Sequence, residues 1–154
     1  MGMIIHPKLI LFAAQGCGLG LLPRAPGTFG TLGALPLIWL TGQMSPGGQA
    51  FFLVSLILAA MAVADQAEKI LGKKDPKSVV IDEIAGFCVT LCLVPVTWTT
   101  LALGFAAFRF FDVLKPGPVG YFERNYSGGA GIVLDDIMAG VLAALVLKCL
   151  YWVF

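Results

Sequence analysis

Apolar and charged positions alternate along this chain in long blocks. Residues 25–64 and 84–108 carry no charged side chain, and beyond Asp136 the only charge is Lys148. A helix that crosses a bilayer needs about 20 mostly apolar residues, so each empty block is a candidate span. The first is too long for one helix and is interrupted by the turn-rich run Thr41–Gly48, TGQMSPGG. It predicts one helix ending near Leu40 and a second from about Gln49 to Ala64. The second block is interrupted by Pro95 and the run Thr97-Trp98-Thr99-Thr100, which predicts a broken helical hairpin, up from Asp82 to Val94 and back from about Thr99 to Leu114. Ile137–Phe154 makes a last span, its Tyr151 and Trp152 suited to an interfacial belt. Leu9–Leu22 is apolar but short, and Gly16, Gly18 and Gly20 weaken it as a helix. It predicts an interfacial or re-entrant helix docked on the bundle. A cleavable leader is a poorer reading, because Pro23-Arg24-Ala25-Pro26 stands where small residues should be.

Composition narrows this to an all-α, compact, multi-pass membrane bundle forming one domain over residues 1–154. Of the 154 residues, 58% are hydrophobic and 12% charged, with a mean hydropathy of +0.91. A typical soluble domain has about twice that charged fraction, and a chain this short leaves too much surface in water to hide so many apolar side chains. Disorder is excluded by the same figures. A net charge of +1 leaves no basic stripe for nucleic acid. Lys69, Lys73, Lys74 and Lys77 share one connection, which the positive-inside rule makes cytoplasmic. Counting spans from there brings every charge except Lys8 and Lys148 to that one face.

The acids at that face are patterned. Val79-Val80-Ile81-Asp82-Glu83-Ile84-Ala85-Gly86 and Ile132-Val133-Leu134-Asp135-Asp136-Ile137-Met138-Ala139-Gly140 both set adjacent acids after three aliphatics, with a glycine close behind. Both pairs are expected at the start of a membrane helix. Adjacent residues differ by about 100° on a helix, so one acid of each pair can face the bundle and the other the headgroups or a ligand. Gly86 and Gly140 would let the two helices approach closely. A third element, Arg109-Phe110-Phe111-Asp112-Val113-Leu114-Lys115-Pro116, places Arg109, Asp112 and Lys115 at three-residue intervals on one helical face, and Pro116 ends or kinks that helix. Acids at helix starts also complement the helix dipole, and Arg109–Asp112 could be a plain ion pair. Five carboxylates converging in an apolar bundle would nonetheless repel unless a cation sat among them, and ionisable groups at membrane depth are usually functional. Hard Mg²⁺ or Mn²⁺ suits such an oxygen-only set, Asp82, Glu83, Asp112, Asp135 and Asp136.

Other chemistries fall away. His6 is the single histidine, so no histidine triad or two-histidine phosphatase site can form. Cys17 and Arg24 are separated by six residues rather than the five of a cysteine phosphatase loop. Cys88 and Cys92 read as small hydrophobes. Gly16-x-Gly18-x-Gly20 lacks the strand–helix context of a nucleotide fingerprint. Pro23-Arg24-Ala25-Pro26-Gly27-Thr28-Phe29-Gly30-Thr31 opens a helix and could hold an anion through Arg24, Gly27 and Thr28. Arg124-Asn125-Tyr126-Ser127-Gly128-Gly129-Ala130-Gly131 reads as a mobile loop or lid with a basic residue beside it. A hard cation, a lysine, arginines and a glycine loop together fit phosphoryl chemistry, and at a membrane face the phosphate would belong to a lipid headgroup.

Ala25-Pro26-Gly27-Thr28-Phe29-Gly30, Val80–Gly86, Arg109–Pro116 and Gly128–Asp136 resemble the phosphatidylglycerophosphatase A family in order and spacing over nearly the whole chain. The resemblance implies a bacterial inner-membrane, Mg²⁺-dependent phosphatase that converts phosphatidylglycerophosphate to phosphatidylglycerol and phosphate. Its substrate would be its only required partner. On this reading Glu83, Asp112, Asp135 and Asp136 hold the metal directly or through water, with Asp82 a ligand or base. Lys115, Arg109, Arg24 and Arg124 would neutralise phosphate oxygens, helped by Gly27 and Thr28. Where some relatives have histidine this chain has Ser127, which receives no catalytic role. Metal-activated water and an aspartyl-phosphate intermediate both remain open. The rival reading, a small cation-coupled transporter with buried carboxylates, predicts acids near the bilayer midplane and polar residues along several helices. A scaffold whose charges bind partners would need no converging carboxylates.

Overall fold

The computed structural model describes residues 5–153, so Phe154 of the expected last span lies outside them. Among the described residues every regular element is helical: α1 (Pro7–Ala14), a 3-10 turn (Leu19–Leu21), α2 (Pro26–Leu32), α3 (Leu35–Thr41), α4 (Pro46–Leu71), α5 (Ile81–Thr90), α6 (Trp98–Leu114), α7 (Pro118–Asn125) and α8 (Gly128–Val153). The all-α bundle predicted from the charge-free blocks is what forms.

Two helices, α4 and α8, are long and apolar enough to cross a membrane. They differ in role. Only 11% of the apolar stretch of α4 is covered by protein, against 44% for α8. A long apolar helix with Phe51, Val54 and Leu58 facing outward is in the wrong solvent unless lipid surrounds it. α8 is the central post, packed by α4, α5, α6 and α7. Ala60, Ala64 and Ala67 of α4 are fully buried and share a cluster with Ile132 and Val133 of α8, a small-residue seam of the kind that draws membrane helices together. On the opposite side, Phe87 of α5 packs on Phe105 and Phe108 of α6 with ring centroids 6.0 Å apart in each pair.

The α5–α8 contact is the tightest. A Cβ on Gly86 would lie 2.7 Å from the Asp136 carbonyl oxygen, and one on Gly140 would strike the Gly86 carbonyl oxygen. Two glycines therefore bring the backbones that carry the acid pairs together, as their positions in the sequence predict.

Several boundaries depart from the sequence expectation. The first predicted helix is two short ones, α2 and α3, because Pro36 in the first turn of α3 has no N–H for the Leu32 carbonyl and its ring crowds that turn. α4 runs past Ala64 to Leu71. Asp65 and Lys69, one turn apart, pair at 2.7 Å, and the helix stops only at Gly72, which adopts the left-handed C-cap conformation. α8 begins at Gly128, not Ile137. Its first turn is capped by Asp65 of α4, whose carboxylate accepts from the Gly129 N–H at 3.3 Å. Asp135 and Asp136 thus lie two turns inside α8, about 10 Å from its start, rather than in its first turn. The stretch expected as a loop over 124–131 is mostly helical, with only Tyr126 and Ser127 between α7 and α8. Pro118 at the first position of α7 favours that earlier helix.

α1 is eight residues long, far too short to span. The chain turns back at Gly16–Gly18, and the Ala14 carbonyl accepts from the Val80 N–H at 2.8 Å, so the amino-terminal segment is the docked helix expected. The bundle consequently has two distinct ends. One gathers the starts of α2, α5 and α8 with the ends of α4 and α6. The other joins α3 to α4 and α5 to α6.

Candidate active site

At the first of these ends lies a cavity of about 700 Å³. Its floor is acidic. Asp82 and Glu83 enter from the first turn of α5, and Asp136 from α8. Oxygens of these three side chains all lie within 4.8 Å of one another. Asp82 and Asp136 are buried and Glu83 nearly so. The Asp82 Oδ1 and Glu83 Oε2 atoms are buried with no hydrogen-bond partner. Unpaired, buried carboxylate oxygens this close to other carboxylates are strongly unfavourable by themselves. A hard cation bound by oxygen would remove that penalty, so the donor set fits such an ion.

The remaining two predicted acids are engaged otherwise. Asp112 hydrogen-bonds the Arg109 guanidinium one turn earlier on α6. Asp135 accepts from the Lys115 Nζ at 2.7 Å, and the same ammonium reaches Glu123 of α7 at 3.0 Å. Lys115 terminates α6 in the left-handed conformation, at φ +46°. Its charge therefore ties the end of α6 to α7 and α8. Burial works against that charge, but the hydrogen bonds and fields of Asp135 and Glu123 outweigh it and hold its pKa above the ordinary lysine range. The predicted five-acid group is thus resolved into a trio of clustered carboxylates flanked by two acid–base pairs.

The start of α2 reaches this cavity through its N-cap Ala25 and first residues Pro26 and Gly27. A Cβ on Gly27 would lie 2.7 Å from Glu83 Oε1 and 3.3 Å from an Arg109 guanidinium nitrogen, so a side chain there would push those two groups from their places. Arg24 is exposed and Thr28 half-buried, and neither lines the cavity. Arg124 is also off the cavity; its guanidinium folds back over Gly120 on its own helix. Asp75 and Lys77, in the connection between α4 and α5, do line it. In the sequence Lys77 reads only as a sign of topology, and Asp75 carries no expected role. The available signal is their closeness to the Asp82-Glu83 pair, five to eight residues on. A smaller cavity of about 160 Å³ adjoins through Asp75, Ile132 and Asp135 and is walled by Glu68, Glu123, Tyr126 and Ser127.

The acids sit toward one end of the bundle, not midway along its helices as a transport pathway would require; between Ala50 and Ala64 α4 has Ser55 as its one polar side chain, and beyond Asp136 α8 has Lys148 as its one charge. Fold and site together define a small all-helical protein, with two helices apolar enough to cross a membrane, that gathers buried carboxylates and cations at one end. Comparison with known proteins makes this specific. The family model of phosphatidylglycerophosphatase A matches residues 12–151. The phosphatidylglycerophosphatase A of Escherichia coli K12 is 41% identical over 137 residues, covering 87% of this chain and 78% of that protein. The protein of the same name from Haemophilus influenzae is 35% identical over 152 residues, covering 97% and 92%. A Bacteroides thetaiotaomicron protein, provisionally named a phosphatidylinositol-3-phosphatase, is 36% identical over 94% of this chain and 95% of its own length. No solved structure matches. The chain belongs to the phosphatidylglycerophosphatase A family and is a phosphatase.

Proposed function

We propose that this enzyme is a multi-pass protein of the bacterial inner membrane. It hydrolyses phosphatidylglycerophosphate to phosphatidylglycerol and phosphate at the cytoplasmic face, and it depends on Mg²⁺ or Mn²⁺. The observation that carries this reading is the trio Asp82, Glu83 and Asp136, with two orphaned oxygens, beside two cations in a cavity open at one end of a lipid-facing bundle. The names of the two bacterial relatives supply the substrate. The lysines of the α4–α5 connection support the cytoplasmic orientation.

Asp82, Glu83 and Asp136 are the residues that would hold the metal. When bound, it would neutralise phosphoryl charge and lower the pKa of a nearby water. Arg109 and Lys115 clamp the phosphate oxygens, Arg109 as a planar fork and Lys115 as a point charge. Asp112 aims the first and Asp135 the second, so these acids act through their cations. Gly27 keeps the approach to Arg109 and Glu83 free of side-chain bulk. With no histidine or cysteine in the cavity, the nucleophile is either water, deprotonated by a carboxylate of the trio, or a carboxylate itself, whose acyl phosphate water then cleaves. Both routes break the bond between phosphorus and the glycerol oxygen, and the proton that oxygen takes up comes from water, directly or through a carboxylate of the trio.

The test uses purified protein in detergent micelles with phosphatidylglycerophosphate, scored by phosphate release with Mg²⁺ and with chelator. Loss of activity in chelator and recovery on adding Mg²⁺ are expected. Turnover unaffected by chelator, or unchanged in Asp136→Asn, would overturn the metal assignment. Phosphatidylinositol 3-phosphate, run in parallel, asks whether the activity named for the Bacteroides relative is shared. Rapid quenching during turnover separates the two nucleophiles, since only one leaves phosphate on a carboxylate.

A further inference from the structure

The lipid in this reading carries two phosphates, the monoester that is cleaved and the diester that joins the headgroup to the acylated glycerol. The buried machinery accounts for only the first. Three cations line the large cavity, Lys77, Arg109 and Lys115. Arg109 is paired with Asp112, and Lys115 with Asp135 and Glu123. Lys77 forms no ion pair among the described residues. It is exposed, whereas the side chains of Arg109 and Lys115 are only 24% and 26% exposed. Lys77 therefore stands at the mouth of the cavity and the paired cations lie deeper.

Its connection is held in place. The Val80 N–H donates to the Ala14 carbonyl at 2.8 Å, the Asp75 N–H donates to the Glu68 carboxylate at 3.3 Å, and Pro76 is buried. A lipid entering with its monoester toward the acids keeps its acyl chains outside, so its diester lies between, at the mouth. The cavity, about 700 Å³, is far larger than one phosphate needs. Lining carboxylates outnumber lining cations, so an anionic diester requires a cation not already neutralised. We propose that Lys77 binds the diester phosphate of the lipid headgroup and so selects substrates that carry a second phosphate on the acyl side of the scissile one. This rests on the proposed substrate.

The products isolate the two positions, because phosphatidylglycerol retains the diester and inorganic phosphate mimics the monoester. Kinetics are measured with short-chain lipids in neutral detergent micelles, for wild type, Lys77→Gln, Lys77→Arg and Lys73→Gln. Lys73 shares the connection but does not line the cavity. Lys77→Gln should raise KM for phosphatidylglycerophosphate and the inhibition constant of phosphatidylglycerol by about tenfold each, the usual worth of a charge-assisted hydrogen bond. The inhibition constant of inorganic phosphate should not move. Lys77→Arg should recover most of the loss, and Lys73→Gln should behave as wild type. An equal loss in Lys73→Gln would mean general attraction to an anionic surface and overturn the assignment. So would a matching rise in the phosphate inhibition constant, or no rise for phosphatidylglycerol. A wild-type protein inactive on phosphatidylglycerophosphate would instead refute the substrate itself.

Discussion

The two ends of the bundle share α4, α5 and α6 and treat their polar groups in opposite ways. At the end away from the acids, Thr97 and Thr100 form a capping box at the start of α6. The Gln49 side-chain oxygen accepts from the Leu93 N–H at 3.2 Å, so the α5–α6 turn is tied to the start of α4. At the acid end, two buried oxygens have no partner and three carboxylates share one small volume. One end is arranged for stability. The other holds a polar cluster that weakens the isolated chain and suits a ligand of opposite charge. Local destabilisation of this kind is a common mark of functional sites.

The contrast is broken most directly at Asp136. Asp136→Asn keeps the volume and removes one of the converging charges. Phosphate release should fall by roughly 10²–10³-fold, the scale of losing one electrostatic element of an active site. In chelator, however, its unfolding midpoint in detergent should lie above that of wild type, because a buried like charge is gone. A lower midpoint would mean that the acid trio is stabilising as it stands. Mg²⁺ makes the complementary test. At a hundred times its dissociation constant it should stabilise wild type by about 2.7 kcal/mol, read as a shift in thermal unfolding, and Asp136→Asn should show little of that shift. Gly140→Ala tests the scaffold between the ends. Its Cβ would meet the Gly86 backbone, so the helices must part, at about 1–3 kcal/mol, and activity should drop because the α5 and α8 acids separate. The smallest effect belongs to the quiet end. Thr97→Ala should cost about 1 kcal/mol as a lost N-cap, measured by unfolding, with phosphate release unchanged.

The legible parts of the chain were those set by local chemistry. Charge-free blocks announced apolar helices, the Pro95–Thr100 run announced the hairpin turn, and Gly86 and Gly140 announced the close helix pair. Helix ends were less legible where a distant residue decides them. The start of α8 at Gly128 depends on Asp65 of α4, and nothing near Gly128 in the chain signals that cap. The same holds within the site. Asp82 and Asp135 occupy equivalent places in two similar motifs, yet Asp82 joins the trio and Asp135 turns to Lys115. Which acid of a pair faces which neighbour depends on the depth at which each helix enters, and α8 enters two turns before its acids. Arg24 and Arg124 looked as apt for phosphate as Arg109. Only packing shows that Arg109 alone of the three lines the cavity.

By itself, then, the amino-acid sequence determined the apolar character of the helices, the helical class and the kinds of groups available for chemistry, because hydropathy, helix breaking and oxygen-ligand preference are properties of residues and their near neighbours. The tertiary structure decided the division of labour: which carboxylates cluster, which neutralise a cation, and which lysine is left free at the cavity mouth. Those are properties of distances between helices, and such distances exist only once the apolar faces have packed.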